Sequence, residues 1–300
     1  MRFCCNDTGI NLTQDLPELT ATLKQLRGIG FEVIGVHGVA GASDDAVRRF
    51  RDLTQQHGVS VAMSPTGFQP AHPDESKRPQ EHEQLRETLR KMQLLGGDLI
   101  HIAGGGYDGT GWWHHPKNFT AAALDDFITE MKKVAPHAEE FGICVCPETT
   151  QWCTLNSPER MVEFVDGVDS EYVKVTFDPV NHLRPDRIYA SGEFVRSSIA
   201  MLGDRIGQLH VKDVDIKSGL VVHIEEAPVG TGLLDHEAVI RASDDLEPSK
   251  TFSLEHFNDD KVDTMVQREN AFKHLQGIAT RIGHTWSSPQ LTRREWIRNQ

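Results

Sequence analysis

Three carboxylates and one imidazole stand at or near the ends of four apolar segments between residues 144 and 257. They are Glu148 in CVCPETT, Asp178 in VTFDPVNH, His210 in GQLHVKD and Glu255 in SLEHF. If these side chains meet in one buried place, they cannot all stay ionised unless a positive charge joins them. A divalent metal ion supplies that charge. Three oxygen donors and one nitrogen suit Mn²⁺, which we expect, with Mg²⁺ or Co²⁺ as alternatives.

The alternation of side chains decides whether these four residues can meet. Successive residues of a β-strand point to opposite faces of the sheet. In residues 172–178 the apolar side chains occupy odd positions, which leaves Asp178 on the opposite face, and the same rule applies to Glu148, His210 and Glu255. A helix cap or a local salt bridge explains any one of them equally well. Four segments with matching parity favour the metal site.

Apolar periodicity predicts strands that alternate with helices along the chain. Strands are expected at Arg2–Cys5, Glu32–His37, Val59–Met63, Asp98–Ala103, Ile143–Glu148, Tyr172–Asp178, Ile206–Lys212 and Thr251–His256. Helices are expected at Asp15–Gly28, Ser43–His57, Gln80–Leu95, Ala121–Phe141, Pro158–Val165, Gly192–Leu202, Asp235–Ala242 and Asp263–Ile278. This pattern predicts an α/β fold, a single-domain (β/α)8 TIM barrel, whose sites lie at the carboxyl ends of the strands. We expect the barrel over residues 1–280 and a short C-terminal extension over 281–300.

An open doubly wound sheet is the alternative architecture. Such a sheet usually carries a G-x-G-x-x-G phosphate-binding segment early in the chain, and none occurs there. The glycine run 104–106 opens instead onto a long loop that contains Trp112, Trp113 and His114. We interpret this segment as an active-site loop.

Composition and charge narrow the class of protein. The chain has 300 residues, of which 38% are hydrophobic and 25% charged, and a net charge of −13, which disfavours binding to nucleic acid. No run of about 18 apolar residues predicts a membrane span. The segment MRFCCNDTGINL is unlike a secretory signal, so the cytoplasm is the default location. The five cysteines, an odd number, make a poor disulfide framework, and we interpret them as buried structural residues.

Several motifs resemble the sugar phosphate isomerase/epimerase family, the xylose isomerase-like TIM barrels that include the ketose 3-epimerases. They are CVCPETT, VTFDPVNH, GQLHVKD, APVGTGLLDH and SLEHF, and the resemblance covers roughly residues 1–280. It implies metal ligands at Glu148, Asp178, His210 and Glu255, with both glutamates also acting as catalytic acid and base. One glutamate removes a proton from the carbon beside the metal-bound carbonyl. The other returns a proton on the opposite face, while the metal stabilises the enediolate.

Two positions depart from the epimerase pattern. That pattern has a His three residues after the Asp, where this chain has Asn181 followed by His182, so either residue can supply the polar contact. It also has an Arg shortly after the metal-binding His, where this chain has Lys212 and Lys217.

The predicted substrate-binding residues are His182, Lys212, Trp112, Trp113 and His114. The ammonium group of Lys212 can bind a substrate oxygen, or it can form a salt bridge with Asp213 or another acid. The indole faces suit the C–H surfaces of a sugar, although the same loop can instead pack against the C-terminal segment or a partner. Residues predicted to be structural rather than chemical are His37, His101, His223 and Glu226.

Three classes of function follow from these residues. The first is a metal-dependent isomerase or epimerase of a sugar or keto-sugar. The second is a lyase with the same site, in which a keto-polyol loses water or a 3-keto-glycoside loses its aglycone by β-elimination. The third, a DNA-repair endonuclease of the same superfamily, needs a His-rich zinc cluster and a basic groove, and the net charge of −13 argues against it. A non-enzymatic binding barrel is a distant fourth.

The expected partner is a small, unphosphorylated, carbohydrate-like substrate, because no phosphate-binding turn beyond GTGLLDH is evident. The extra C-terminal segment and the habit of the family lead us to expect a homo-oligomer, either a dimer or a tetramer.

Overall fold

Eight parallel strands close into a barrel in the computed structural model, which describes all 300 residues. The chain has ten strands in all, eight in the barrel and two outside it. They are β1 (Arg2–Cys5), β2 (Val33–Gly35), β3 (Ser60–Pro65), β4 (Leu99–Ala103), β5 (Cys144–Glu148), β6 (Val175–Phe177), β7 (Ile206–Val211), β8 (Asp213–Lys217), β9 (His223–Ala227) and β10 (Thr251–Leu254). The order around the barrel is β1 to β7 and then β10, which pairs with β1. Strands β8 and β9 form a separate antiparallel hairpin. The predicted TIM barrel is confirmed.

Helices follow the barrel strands and surround them. They are α1 (Leu16–Ile29), α2 (Asp44–Gln56), α3 (Arg78–Leu95), α4 (Ala121–Phe141), α5 (Pro158–Val168), α6 (Ser191–Leu202), α7 (His236–Ser243), α8 (Thr264–Ile282) and α9 (Arg293–Arg298). Side-chain caps begin several of them, such as Ser43, which accepts the N–H of Ala46 at the start of α2. None of the helices combines the length and the apolar character that a membrane crossing requires.

The two hydrophobic clusters lie on either side of the barrel wall. The larger one fills the space between the strands and the helices, and a smaller one inside the barrel includes Cys4, Met63, Cys144 and Cys146. All five cysteines are buried and free. Burial raises the pKa of the Cys4 thiol to about 12, so this thiol stays protonated and behaves as a small apolar group.

The differences from the predicted elements lie at strand ends and beyond the barrel. Strand β6 covers three residues rather than seven, and its register with β7 shifts between Val175 and Thr176. Asp178 follows this strand, and its Oδ1 accepts the N–H of Val180 at 2.8 Å. No strand or helix was predicted over the β8–β9 hairpin or over α9. The two strands of the hairpin are joined by residues 218–222, which begin with Ser-Gly, a pair typical of turns. In sequence the whole segment therefore resembles a loop.

The C-terminal segment covers the amino-terminal end of the barrel. Trp286 stacks on Phe3 with ring centres 4.7 Å apart. The N–H of Arg293 donates to Oδ1 of Asp98 at 3.2 Å, and the other oxygen of Asp98 accepts a hydrogen bond from Nη2 of Arg2 at 2.5 Å. Arg2 and Asp98 therefore form a buried ion pair on the face remote from the strand ends that carry the predicted site.

Substitution Arg2→Met is expected to lower the free energy of unfolding by about 3–5 kcal/mol, because Asp98 keeps a buried charge without its partner. The matched control is Arg49→Met, which breaks an exposed Arg49–Asp45 pair on α2 and should cost about 0.3–0.5 kcal/mol. Urea unfolding followed by circular dichroism measures both. Equal midpoints for the two variants would contradict a structural role for the buried pair.

Candidate active site and metal centre

Glu148, Asp178, His210 and Glu255 lie together inside the carboxyl end of the barrel. Each offers one ligand atom, all four atoms lie within 4.8 Å of one another, and all four residues are buried. Nδ1 of His210 is 2.7 Å from Oε2 of Glu255 and 3.3 Å from Oε1 of Glu148. Glu148 is the last residue of β5, and Asp178 and Glu255 directly follow β6 and β10. Neighbouring parallel strands thus bring four distant positions of the chain to one point.

The electrostatics of this cluster show that it requires positive charge. Burial raises the pKa of Asp178 to about 6. Burial alone would lower the pKa of His210, but the carboxylates of Glu255 and Glu148 outweigh it and raise that pKa to about 10. Without a metal ion, the imidazolium of His210 therefore supplies part of the charge that the carboxylates need.

The donor set fits a divalent ion. It has three carboxylates and one imidazole, and oxygen-rich sets of this kind suit Mg²⁺ and Mn²⁺. Oδ2 of Asp178 is buried and makes no hydrogen bond of good geometry. Its one close charged neighbour is Nζ of Lys212 at 3.0 Å, so this oxygen remains open to a further ligand contact. These residues can hold a divalent metal; Mn²⁺ in particular stays a prediction.

Lys212 is the second positive group of the site. Its Nζ lies 3.0 Å from Oδ2 of Asp178, 3.2 Å from Oε1 of Glu255 and 3.2 Å from Oε1 of Glu226. Burial would lower the pKa of Lys212, but Asp178 and Glu255 outweigh it and hold the pKa well above the usual value. Lys212 is therefore a charged group of the site that pairs with three acids, and Asp213 is not among them.

Neutral and basic donors orient the two glutamates. Nε2 of His101 is 2.9 Å from Oε2 of Glu148, and Nδ2 of Asn181 donates to Oε1 of Glu148 at 3.0 Å. Nδ2 of Asn6 donates to Oε2 of Glu255 at 3.3 Å. Burial would raise the pKa of Glu148, but the nearby imidazoles of His101 and His210 hold it below its usual range. Both glutamates are thus held as carboxylates in fixed positions.

A cavity of about 880 Å³ opens over the cluster. Its walls include Trp112, Trp113 and Trp152, and pockets of about 300–1,000 Å³ suit small-molecule ligands. His114 is not among the lining residues and lies beside Trp152, with ring centres 5.8 Å apart. Two of the three predicted residues of this loop therefore face the cavity.

His182 faces away from this cavity. It is buried, its Nε2 lies 2.9 Å from Oγ1 of Thr149, and its ring stacks on Phe177 at 6.0 Å. The preceding residue, Asn181, lines the cavity instead. The two alternatives for the polar contact after Asp178 thus lie on opposite sides of a short helical turn over Val180–His182.

The comparisons with known proteins agree with this fold. A family model described as the xylose isomerase-like TIM barrel matches residues 23–280. The chain belongs to this family. The search of curated protein sequences gave no significant match to this chain.

Solved structures of the same fold superpose over almost the whole chain. D-psicose 3-epimerase (DPEase), solved in the presence of D-fructose, is 17% identical and covers 94% of this chain and 100% of its own, with a TM-score of 0.74. A xylose isomerase-like TIM barrel protein from Mycobacterium smegmatis, in complex with magnesium, is 18% identical, with coverages of 93% and 97% and a TM-score of 0.71. The probable 3-DHS dehydratase AsbF from Bacillus anthracis is 14% identical, with coverages of 92% and 99% and a TM-score of 0.71. The fold is therefore shared by an epimerase and by a probable dehydratase.

Sequence reasoning missed part of the site in this xylose isomerase-like barrel. Glu226, predicted to shape a loop, lies on β9, and its Oε1 is 2.6 Å from Nδ1 of His256. His101, predicted as a core residue, contacts Glu148 and belongs to a second group of potential ligands with Glu148 and His210. The inward parity of His101 on β4 was the available signal for its position. Glu226 had none, because the hairpin that carries it was not predicted.

Replacement of Asn181 and of His182 in this family member should have different effects. Asn181→Ala removes a hydrogen bond to a charged glutamate, which we expect to lower kcat/KM roughly tenfold. His182→Phe removes the 2.9 Å contact with Oγ1 of Thr149 and should lower the free energy of unfolding by about 1–3 kcal/mol. Steady-state kinetics and urea unfolding of both variants separate the two roles. A loss of activity in His182→Phe at unchanged stability would contradict this assignment.

Proposed function

We propose that this protein is a divalent-metal-dependent isomerase or epimerase that acts on a sugar or keto-sugar by removing a proton from the carbon beside a carbonyl. The observation that carries the proposal is that Glu148 and Glu255 flank Nδ1 of His210 within one buried cluster. Two carboxylates with the same histidine between them provide one group to accept a proton and another to return it.

A divalent ion held by Glu148, Asp178, His210 and Glu255 would act as a Lewis acid that polarises the substrate carbonyl and makes the neighbouring C–H more acidic. Mn²⁺ is our choice, with Mg²⁺ or Co²⁺ as alternatives. The pKa values of both glutamates lie below their usual range, so both are carboxylates at neutral pH and either can accept the proton. After the transfer, the glutamate that accepted the proton is a carboxylic acid and can return the proton to the same face of the carbon. Return on the opposite face, which epimerisation requires, needs the other glutamate to take up a proton from solvent first.

The remaining residues of the cavity bind and orient the substrate. The indoles of Trp112 and Trp113 line the cavity and can pack on the C–H face of a sugar ring. Lys212 lies beside Asp178 and Glu255 and can donate a hydrogen bond to a substrate oxygen. We assign contacts with the reacting sugar to these three residues, because neither His114 nor His182 lines the cavity over the metal cluster, and His182 lines an adjoining one.

A lyase with the same site is the second candidate. Lys212, Glu226 and His256 form a polar group at the cavity wall next to Glu255, with Nζ of Lys212 3.4 Å from Nδ1 of His256. Lys212 and His256 can donate hydrogen bonds to a leaving oxygen once the neighbouring C–H proton has been removed, and Glu226 holds both of them in place. Loss of water from a keto-polyol, or of the aglycone from a 3-keto-glycoside, would use the same first step as epimerisation.

The test is proton exchange in D₂O. The purified protein is stripped with a chelator, reloaded with Mn²⁺, and incubated with a panel of ketoses, keto-inositols and 3-keto-glycosides. Nuclear magnetic resonance then follows deuterium incorporation and product formation. Metal-dependent exchange beside a carbonyl supports the proposal, and the products separate an epimerase from a lyase. Absence of exchange, together with absence of a stoichiometric divalent ion, would overturn it.

A further inference from the structure

A second cavity, of about 630 Å³, adjoins the one over the metal cluster. Gln151, Trp152 and Arg184 line both cavities. The two spaces therefore meet at these side chains, and a ligand that extends past Trp152 from the first cavity would enter the second. Each cavity alone falls in the range of about 300–1,000 Å³ that is usual for a whole small-molecule ligand.

The walls of the second cavity are rich in hydrogen-bonding groups. They include Asn156, Glu159, Ser197 and Arg187, together with apolar surface from Phe194. Polar groups of both donor and acceptor type beside an aromatic ring are the features that a hydroxyl-rich ring requires. A purely apolar group would leave these polar side chains desolvated and unpaired.

Arg187 has free donors at this wall. Its guanidinium packs over the ring of Phe194 at 4.5 Å, and its one hydrogen bond runs from Nη1 to the backbone oxygen of His182 at 3.5 Å. A guanidinium offers five N–H donors. The neighbouring Arg184 differs, since it pairs with Asp186 at 3.2 Å. Arg187 is thus half-buried, held in place by stacking, and available to acceptor oxygens in the cavity.

We infer that the second cavity binds a second, hydroxyl-rich ring that is glycosidically joined to the reacting sugar. The substrate class is then a keto-disaccharide or a glycoside of similar size, rather than a free keto-monosaccharide. Arg187 is the specificity-determining residue for the distal ring. This inference rests on the proposed function, because it places the reacting ring at the Glu148–Glu255 cluster.

The test compares three substrates of the Mn²⁺-loaded enzyme: 3-keto-glucose, 3-keto-maltose and phenyl 3-keto-glucoside. Deuterium exchange gives kcat/KM for each. We expect 3-keto-maltose to exceed 3-keto-glucose by about tenfold or more, since a hydrogen bond from a charged donor typically contributes that factor. Arg187→Ala should remove this preference and leave kcat/KM for 3-keto-glucose unchanged. The matched control is Arg196→Ala, an exposed arginine of α6 that does not line the cavity.

The outcomes separate this inference from the proposed function. The distal site would be overturned if kcat/KM were equal for 3-keto-glucose and 3-keto-maltose. It would also be overturned if Arg187→Ala lowered kcat/KM equally for both compounds. A preference for the phenyl glycoside over the disaccharide would overturn the assignment of a hydroxyl-rich ring. If no compound exchanges, the proposed function fails, and calorimetric affinities of 3-keto-maltose and 3-keto-glucose for wild type and Arg187→Ala then decide the distal site alone.

Discussion

Substitution of either Glu148 or Glu255 by glutamine is expected to lower the rate of metal-dependent deuterium exchange by about 10²–10⁴-fold, the usual contribution of a positioned acid or base. Glutamine keeps the shape of the side chain and one oxygen that can contact a metal, but it cannot accept a proton. Both glutamates flank Nδ1 of His210, so we expect neither to replace the other. Exchange is measured by nuclear magnetic resonance at saturating Mn²⁺, and metal content is measured on the same samples.

Glu225→Gln is the control for these two variants. Glu225 lines the same cavity from β9 and pairs with Lys217 rather than with the buried cluster. Its replacement should leave the exchange rate within about twofold, as expected for an exposed ion pair. If Glu148→Gln binds Mn²⁺ normally and keeps the wild-type exchange rate, then Glu148 transfers no proton in this reaction.

The affinity for Mn²⁺ should rise with pH by up to about tenfold per unit between pH 6 and pH 10, because metal ligands must lose their protons. In the metal-free protein the pKa of His210 is raised to about 10, so at neutral pH an ion must displace its proton. Asp178, with a pKa of about 6, adds a second competing proton below that pH. Calorimetry in two buffers of different ionisation enthalpy counts the protons released. An affinity that stays constant from pH 6 to pH 9 would contradict this coupling.

Binding of Mn²⁺ should also raise the free energy of unfolding of the protein. At about 100 times its Kd, a ligand that binds only the folded state adds about 2.7 kcal/mol to the free energy of unfolding. Thermal unfolding with and without Mn²⁺ therefore gives a readout that needs no substrate. Glu130→Gln, which alters a buried acid between α3 and α4 that pairs with Arg78, should shift the starting stability but keep the increment from Mn²⁺.

Side-chain parity was sufficient to predict that four distant residues face one interior. Val173, Val175 and Phe177 are all fully buried, and their spacing alone assigns Asp178 to the opposite face. In a closed barrel, inward-facing residues near the carboxyl ends of neighbouring strands all point into the same end of the barrel interior. The gathering of the cluster in the structure therefore follows from local patterns and from the closure of the barrel.

Contacts made by loops and by the hairpin could not be predicted in this way. Asn181 rather than His182 reaches Glu148, because a single helical turn after Asp178 decides which of the two points inward. Glu226 reaches Lys212 only because β8 and β9 pair with each other and lie along the cavity. These contacts depend on the path of the backbone outside the regular strands, where no side-chain period constrains it.

The burial of all five thiols has a practical consequence for the experiments above. Cys4, Cys5, Cys144, Cys146 and Cys153 are inaccessible, so metal reloading can proceed without thiol reductants, which themselves capture soft metal ions. A cysteine introduced at the exposed Leu220, on the tip of the β8–β9 hairpin, would be the one site open to a maleimide dye. Fluorescence from that single label would then report substrate-dependent movement of the hairpin in the otherwise unaltered chain.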